Sequence, residues 1–252
     1  MAEVSDHPSP EPTLWICATP IGNFGDTSER LRQVLGQVDH VYCEDTRVTG
    51  LLLQHLGFKK PLHSCHKFSE RRSAEQVVAL LKDGQSVAYV SDAGTPGISD
   101  PGALLVNAAR SAGFAVRPLP GPSAVATVLS VSGYDGPFAF VGFLPRKTKQ
   151  VIDMFEGLVT VGATGRSPLR MAIVFYESPH RIKKSIAELA KVFPEHQAFV
   201  ARELTKSYEE FFWGSLAEIT QQLERKENWK GEFCGVLFTN NDHPHSNETD
   251  SR

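Results

Sequence analysis

Three short apolar runs in the first half of the chain, Leu14–Ala18, Val87–Val90 and Ala115–Leu119, each break off into a loop rich in Pro and Gly. The loop behind the second run, Ser91–Gly102, reads SDAGTPGISDPG and carries two Asp. Pro fixes φ and Gly opens torsions closed to other residues, so such a loop holds one shape and presents its own amides and carbonyls closely. A tight structural turn has the same composition. The other two loops read TPIGN (Thr19–Asn23) and PGPSA (Pro120–Ala124). Ligands of open α/β sheets bind outside the carboxyl ends of the strands, so three such loops from one sheet point to a single crevice.

The rest of the first half supports a largely parallel sheet. Strand-like runs at Leu14–Ala18, His40–Cys43, Pro61–Ser64, Val87–Val90 and Ala115–Leu119 alternate with helix-like ones, among them Ser28–Leu35, Val48–Leu56, Ser73–Leu81, Gly102–Ala112 and Ser123–Val131. The pattern breaks at Ser132–Pro137 (SGYDGP), which sets an expected domain boundary at 134/135. Beyond it, strands are expected at Phe138–Val141, Met171–Tyr176, Ala198–Ala201, Tyr208–Trp213 and Phe233–Thr239. Helices are expected at Lys147–Leu158, Pro179–Val192 and Ser215–Leu223. This half reads as a mixed α/β layer with antiparallel pairing. The chain thus divides into a disordered tail (1–13), two α/β domains (14–134 and 135–239) and a second disordered tail (240–252).

No apolar run approaches the roughly 20 residues of a membrane helix, and the acidic, proline-rich start lacks the basic and apolar regions of a signal peptide. A cytoplasmic protein with no membrane association is expected. The four cysteines, Cys17, Cys43, Cys65 and Cys234, are far apart and form no CxxC. Free thiols in a reducing compartment explain them, and with His63, Cys65 and His66 as the one local cluster, no metal site is expected. The net charge of −3 conceals an asymmetry. Residues 1–13 carry three acids and no Lys or Arg, residues 240–252 three acids and one Arg, and the segment Gly142–Lys184 has eight Lys or Arg against three acids. That bias suits a phosphate backbone and equally suits a solvated basic face.

In order, these segments resemble the tetrapyrrole methylase superfamily and, within it, the ribosomal RNA small subunit methyltransferase I family. The resemblance is carried by ATPIGN (18–23), EDTR (44–47), the SDAGTPGISDPG loop, PGPSA (120–124), GFLPRK (142–147), FYESPHR (175–181) and RELTK (202–206), with Glu209 and Glu210 behind. It implies an α/β fold of two αβα domains with the cofactor in the cleft between them. It also implies S-adenosyl-L-methionine as methyl donor and the ribose 2′-hydroxyl of a cytidine in the decoding region of 16S ribosomal RNA as acceptor. The expected partners are small-subunit ribosomal RNA or the assembled 30S subunit, and a second copy in a homodimer. The GxGxxG fingerprint is absent, which fits a cofactor held otherwise than in a Rossmann domain.

Matched residue by residue, the resemblance assigns cofactor contacts to Pro20, Asp92, Ala93, Gly94, Ile98, Ser123, Ala124, Tyr176 and Leu204, and to Gly231, Glu232 and Phe233. Ser123 reads equally well as a helix N-cap. Thr95 stands where relatives acting on tetrapyrroles carry an acid, which leans toward RNA. Methyl transfer to oxygen needs alignment and management of a hydroxyl proton. Glu203 and Lys206 are the expected catalytic pair, with a lowered lysine pKa as one way to accept the proton. Asp45, Arg47, His66, Glu177, His180, Arg181 and Arg202 are the expected RNA contacts. Ion pairing of Arg202 and Glu203 across the domains is the structural alternative. Methylation of a tetrapyrrole precursor and a non-catalytic RNA-binding relative are the competing functions. Relatives continue for a further small segment after the last strand, and Gly165–Arg170 reads as an insertion.

Overall fold

The computed structural model describes residues 11–161, 171–226 and 230–238. The Gly165–Arg170 connection and nearly all of both expected tails lie outside them. The described residues form two compact units that divide between Ser123 and Ala124.

The first unit holds strands β1 (Thr13–Cys17), β2 (His40–Cys43), β3 (Leu62–Ser64), β4 (Val87–Val90) and β5 (Ala115–Leu119). All pair in parallel, in the order β3-β2-β4-β1-β5. Helices α1 (Glu29–Gln37), α2 (Thr46–Leu56), α3 (Glu70–Lys82) and α4 (Ala103–Ser111) link them. The period of two along β4 divides the core. Ala88 and Val90 pack with Leu31, Leu35, Leu52 and Leu53 of α1 and α2, whereas Val87 and Tyr89 pack with Val77, Leu81, Leu105 and Ala109 of α3 and α4. A strand covered on both faces needs no polar alternation, hence the unbroken run VAYV. Each large aliphatic side chain so buried contributes about 1.5–3 kcal/mol.

Helix ends follow local chemistry. The Ser28 side chain accepts from the Leu31 amide at the start of α1, and Gly57 closes α2 in the left-handed region. The α4 N-terminus has no cap of its own, because its N-cap residue is Gly102. Buried Glu70 of α3 supplies one, its Oε1 accepting from the Gly102 and Leu104 amides at 2.7 and 2.9 Å. The sequence periodicity starts α3 only at Ser73. The helix begins three residues earlier because Glu70 is spent on this neighbour rather than on the apolar stripe.

The second unit contains β6 (Phe138–Phe143), β7 (Ala172–Glu177), β8 (Gln197–Arg202), β9 (Glu210–Ser215) and β10 (Phe233–Phe238). Their order is β6-β7-β10-β8-β9, parallel between β6 and β7 and antiparallel elsewhere. Helices α6 (Thr148–Val161), α7 (Ile182–Val192) and α8 (Leu216–Glu224) cover one face. There Phe155, Ile186, Leu189 and Ile219 meet Ile173, Phe175, Val200 and Leu237. Helix α5 (Ala124–Val131), grouped with the first domain in the sequence reading, packs on β10 and β7, and the Cys234 thiol donates to the Ala124 carbonyl. Pro179–Arg181 form a turn rather than the start of α7, with the Arg181 and Ile182 amides both bonded to the Ser178 carbonyl.

Candidate functional site

At the carboxyl edge of the first sheet the three Pro/Gly loops are tied to one another. Thr19 and Gly94 exchange backbone hydrogen bonds at 2.9 and 3.1 Å, an isolated antiparallel bridge between the first two loops. Thr19 Oγ1 donates to the Ser91 carbonyl, and Thr95 Oγ1 donates to the Pro122 carbonyl of the third loop at 3.1 Å. Gly94 adopts φ +81°, and a β-carbon there would stand 3.2 Å from Ile21 Cγ2 and 4.0 Å from Ser123 Cα. Gly121 closes against Ala18, where a β-carbon would meet a methyl group at 3.0 Å. Pro20 and Gly94 are buried, Asp92 and Ser123 half-buried, and Ala93 and Ile98 exposed.

The chain leaves β2 toward β3 at one edge of the sheet and leaves β4 toward β5 at the other. These two neighbouring strands therefore bound the switch point where open α/β sheets bind ligands. The residues following them meet: Asp92 Oδ1 accepts from the Asp45 amide at 2.9 Å. Among the described residues Asp92 Oδ2 accepts no hydrogen bond. Burial raises the Asp92 pKa, with the nearby Asp45 charge adding to it, and burial likewise raises that of Glu44. Asp45 goes the other way, to about 2, through its hydrogen bonds with the Arg47 side chain and amide. Arg47 is otherwise exposed, as is His66 beyond β3.

In the second unit the segment Arg202–Lys206 carries the described residues' two non-glycine positive φ angles, Glu203 at +50° and Thr205 at +67°. The strain is held by a network. Glu203 Oε1 accepts from Lys206 Nζ and from the Glu232 amide, both at 2.9 Å, and Lys206 Nζ also reaches Glu232 Oε2 at 2.9 Å. The Glu203 amide donates to the Glu232 carbonyl, and the Thr205 amide to Glu209 Oε2. Burial works to lower the Lys206 pKa, but the two carboxylates outweigh it and the net shift is upward. Burial opposes ionisation of Glu203, yet Lys206 and the Glu232 amide bring its pKa below the ordinary value. The lysine is thus held as an ammonium, contrary to the lowered pKa considered from sequence. Leu204 and Phe233 are buried beside the network, Gly231 half-buried and Glu232 exposed.

Arg202 bonds the Lys230 carbonyl and Glu210, whose other oxygen pairs with Lys226. These ion pairs, like that of Glu203, lie within the second unit. Glu177 is almost wholly buried. It accepts from the Ser178 amide and Ser185 Oγ and pairs with Arg181 at 3.1 Å. Arg181 also donates to the Leu144 and Pro145 carbonyls, so both residues brace the segment after β6. His180 points outward, and Tyr176 contacts the Phe140 and Phe143 rings edge-on. Glu70 has no motif of its own in the sequence, only a place before an amphipathic run. Among the described residues no group of three or more His, Cys, Asp or Glu could hold a metal ion, and no helix is long and apolar enough to cross a membrane.

Knitted loops at the switch point of a parallel α/β sheet mark a candidate small-ligand site. Comparison with known proteins specifies it: residues 13–220 match the model of the tetrapyrrole (corrin/porphyrin) methylases. The chain is 46% identical to the ribosomal RNA small subunit methyltransferase I of Xylella fastidiosa over 89% of this chain and 81% of that protein. It is 41% identical to the protein of the same name from Neisseria meningitidis serogroup B, over 95% and 80% respectively. Among solved structures, the methyltransferase CobJ superposes with a TM-score of 0.65 at 16% identity, covering 93% of this chain and 98% of that one. The chain therefore belongs to the tetrapyrrole methylases and, within them, to the ribosomal RNA small subunit methyltransferase I family.

Proposed function

We propose that the chain transfers a methyl group from S-adenosyl-L-methionine to the 2′-hydroxyl of a cytidine in the decoding region of 16S ribosomal RNA. It would act in the cytoplasm as a homodimer, on the RNA or the assembled 30S subunit. The observation that carries this reading is the 41–46% identity, over most of the chain, to proteins named for methylation of small-subunit ribosomal RNA. A porphyrinoid acceptor has behind it the description of the family model and a fold shared with a uroporphyrin-III-C-methyltransferase at 17% identity.

The loop residues of the first unit suit a cationic donor. Asp92 offers a half-buried carboxylate with one oxygen to spare, Gly94 leaves the loop without a side chain, and Ala93 and Ile98 supply exposed apolar cover. Pro20 and Ser123 complete this set. Ala124, Tyr176, Leu204, Gly231, Glu232 and Phe233 are assigned to the same donor through the resemblance. When bound, the donor supplies a methyl group already activated on a sulfonium.

Glu203 and Lys206 divide the acceptor chemistry. Glu203 Oε1 is engaged twice, whereas Oε2 accepts no hydrogen bond among the described residues and is available to orient a hydroxyl. With the donor bound, that oxygen would take up the hydroxyl proton as the acceptor oxygen is methylated. The Lys206 ammonium steadies negative charge developing on the hydroxyl oxygen. Arg47, His66 and His180, all exposed, contact the RNA. Asp45 fixes Arg47, Glu177 and Arg181 hold the segment after β6, and Arg202 anchors the catalytic segment.

Mass mapping of ribose methylation in ribosomal RNA from cells with and without the gene tests the reading. Loss of one methylated cytidine in the decoding region, restored by the purified protein and donor, is expected. An unchanged map would refute it.

A further inference from the structure

Between β3 and α3 the chain makes a braced turn. Ser69 Oγ accepts from the His66 amide and donates to its carbonyl, and the Ser69 amide bonds the same carbonyl at 2.8 Å. The turn lifts Phe68 into solvent, 97% exposed, with only the His66 ring edge-on at 6.4 Å. No other large hydrophobic side chain among the described residues is so exposed; Tyr208 follows at 75%.

The exposed charges flanking it in sequence are of one sign, while the Glu44 carboxylate lies within electrostatic reach of His66. Lys67 precedes the ring, and Arg71 and Arg72 follow in the first turn of α3. All three are exposed, and none forms an ion pair among the described residues. The one acid within this run, Glu70, is turned inward onto the α4 amides. An aromatic face with unpaired cations beside it is the chemistry of a single-stranded nucleic acid site, where a base stacks on the ring and phosphates meet the charges. A second copy of the chain would cover the ring but leave three cations unanswered.

The turn also has the right address. Cys43 and Ser64 are partners in the parallel pair β2–β3, the Cys65 amide donates to the Cys43 carbonyl, and Ser64 Oγ donates to the Glu44 carbonyl. Strand β3, which leads into this turn, and β4, which leads into Asp92, therefore end at the same sheet edge, two strands apart, about 10 Å at ordinary strand spacing.

We propose that Phe68 is a stacking platform for an unpaired base of the substrate RNA flanking the methylated nucleotide, with Lys67, Arg71 and Arg72 on its phosphates. The proposal rests on the ribosomal RNA reading of the site above.

Fluorescence anisotropy with a labelled single-stranded RNA of roughly 12 nucleotides tests it. Phe68→Ala is expected to weaken binding about tenfold, equally at low and high salt, and Phe68→Trp to retain it. The double variant Arg71→Gln, Arg72→Gln is expected to lose affinity at low salt and to flatten the salt dependence. Donor affinity stays unchanged in all three. Wild-type RNA affinity and methyl transfer in Phe68→Ala would overturn the platform while leaving the methyltransferase reading intact. Loss of self-association with unchanged RNA affinity would overturn it in favour of a contact between copies. Failure of the wild-type protein to bind RNA or methylate small subunits would remove the functional reading and this proposal with it.

Discussion

Gly231 lies so close to Glu203 that a β-carbon placed on the glycine would stand 2.5 Å from Glu203 Oε1, the atom that holds both Lys206 and the Glu232 amide. Gly231 also sits at φ +101°, a torsion that L side chains rarely adopt. Gly231→Ala is therefore expected to cost about 1–2 kcal/mol in backbone strain and to push the Glu203 carboxylate from its place. Thermal unfolding should show a midpoint lowered by about 2–8 °C. Single-turnover methyl transfer to small subunits should fall by much more than the small change in folded fraction explains. Wild-type turnover in a folded Gly231→Ala protein would remove Glu203 from the reaction.

The same network has a defined pH window. Glu203 has a lowered pKa, so its stabilising contribution is complete above the ordinary carboxylate value of 4.5 and is lost as pH falls through the lowered one. Lys206 has a raised pKa, so its contribution is complete below 10.5 and is lost as pH rises through the raised one. The stability difference between wild type and Glu203→Gln, read by denaturant titration, should be flat across neutrality and shrink in acid, and again in strong alkali where Lys206 loses its charge. The difference for Lys206→Met should shrink at the same two ends, because its carboxylate partners are protonated in acid. A Glu203→Gln difference that disappears near pH 7 would show that the bridge does not form.

The sequence made legible what depends on local chemistry. Apolar runs such as VAYV announce a strand buried on both faces, and Pro and Gly mark where the chain leaves the sheet. The bridge between Thr19 and Gly94 is the physical content of that pattern. Less legible was what depends on a partner distant in sequence. Glu70 carries no sequence signal for capping α4, and Arg181, expected on the RNA, is spent on Glu177 and on the Leu144 and Pro145 carbonyls. Positive φ at Glu203 and Thr205 carries no sequence signal, since neither is glycine. It is imposed by the strand β10 neighbourhood through the Glu232 carbonyl and amide.

Glu70 tests how far the donor loop depends on a helix outside it. Its carboxylate replaces the missing cap of α4, the helix that the SDAGTPGISDPG loop feeds. Glu70→Ala leaves the buried Gly102 amide and the partly buried Leu104 amide without this acceptor and is expected to destabilise by about 1–3 kcal/mol in denaturant titration. Glu70→Gln keeps an acceptor but loses the charge at the helix N-terminus, for about 0.3–1 kcal/mol. Donor affinity should fall with Glu70→Ala and change little with Glu70→Gln. Equal stability of all three proteins would mean that the α4 N-terminus finds other acceptors.

Asp92 offers the most direct test of the donor site. Asn at this position keeps an oxygen for the Asp45 amide, so the loop should retain its shape while losing its charge. Affinity for S-adenosyl-L-methionine, measured by calorimetry, is expected to fall about tenfold, which corresponds to about 1.4 kcal/mol. S-adenosylhomocysteine has a neutral sulfur and should bind nearly as before, because only the cationic centre is recognised by the carboxylate. Burial raises the Asp92 pKa, so wild-type affinity for the cation should decline, as pH falls, at a pH higher than its ordinary 3.8 would give. Asp92→Asn should abolish that decline. Equal weakening toward both ligands would assign Asp92 to the shape of the loop rather than to the sulfonium.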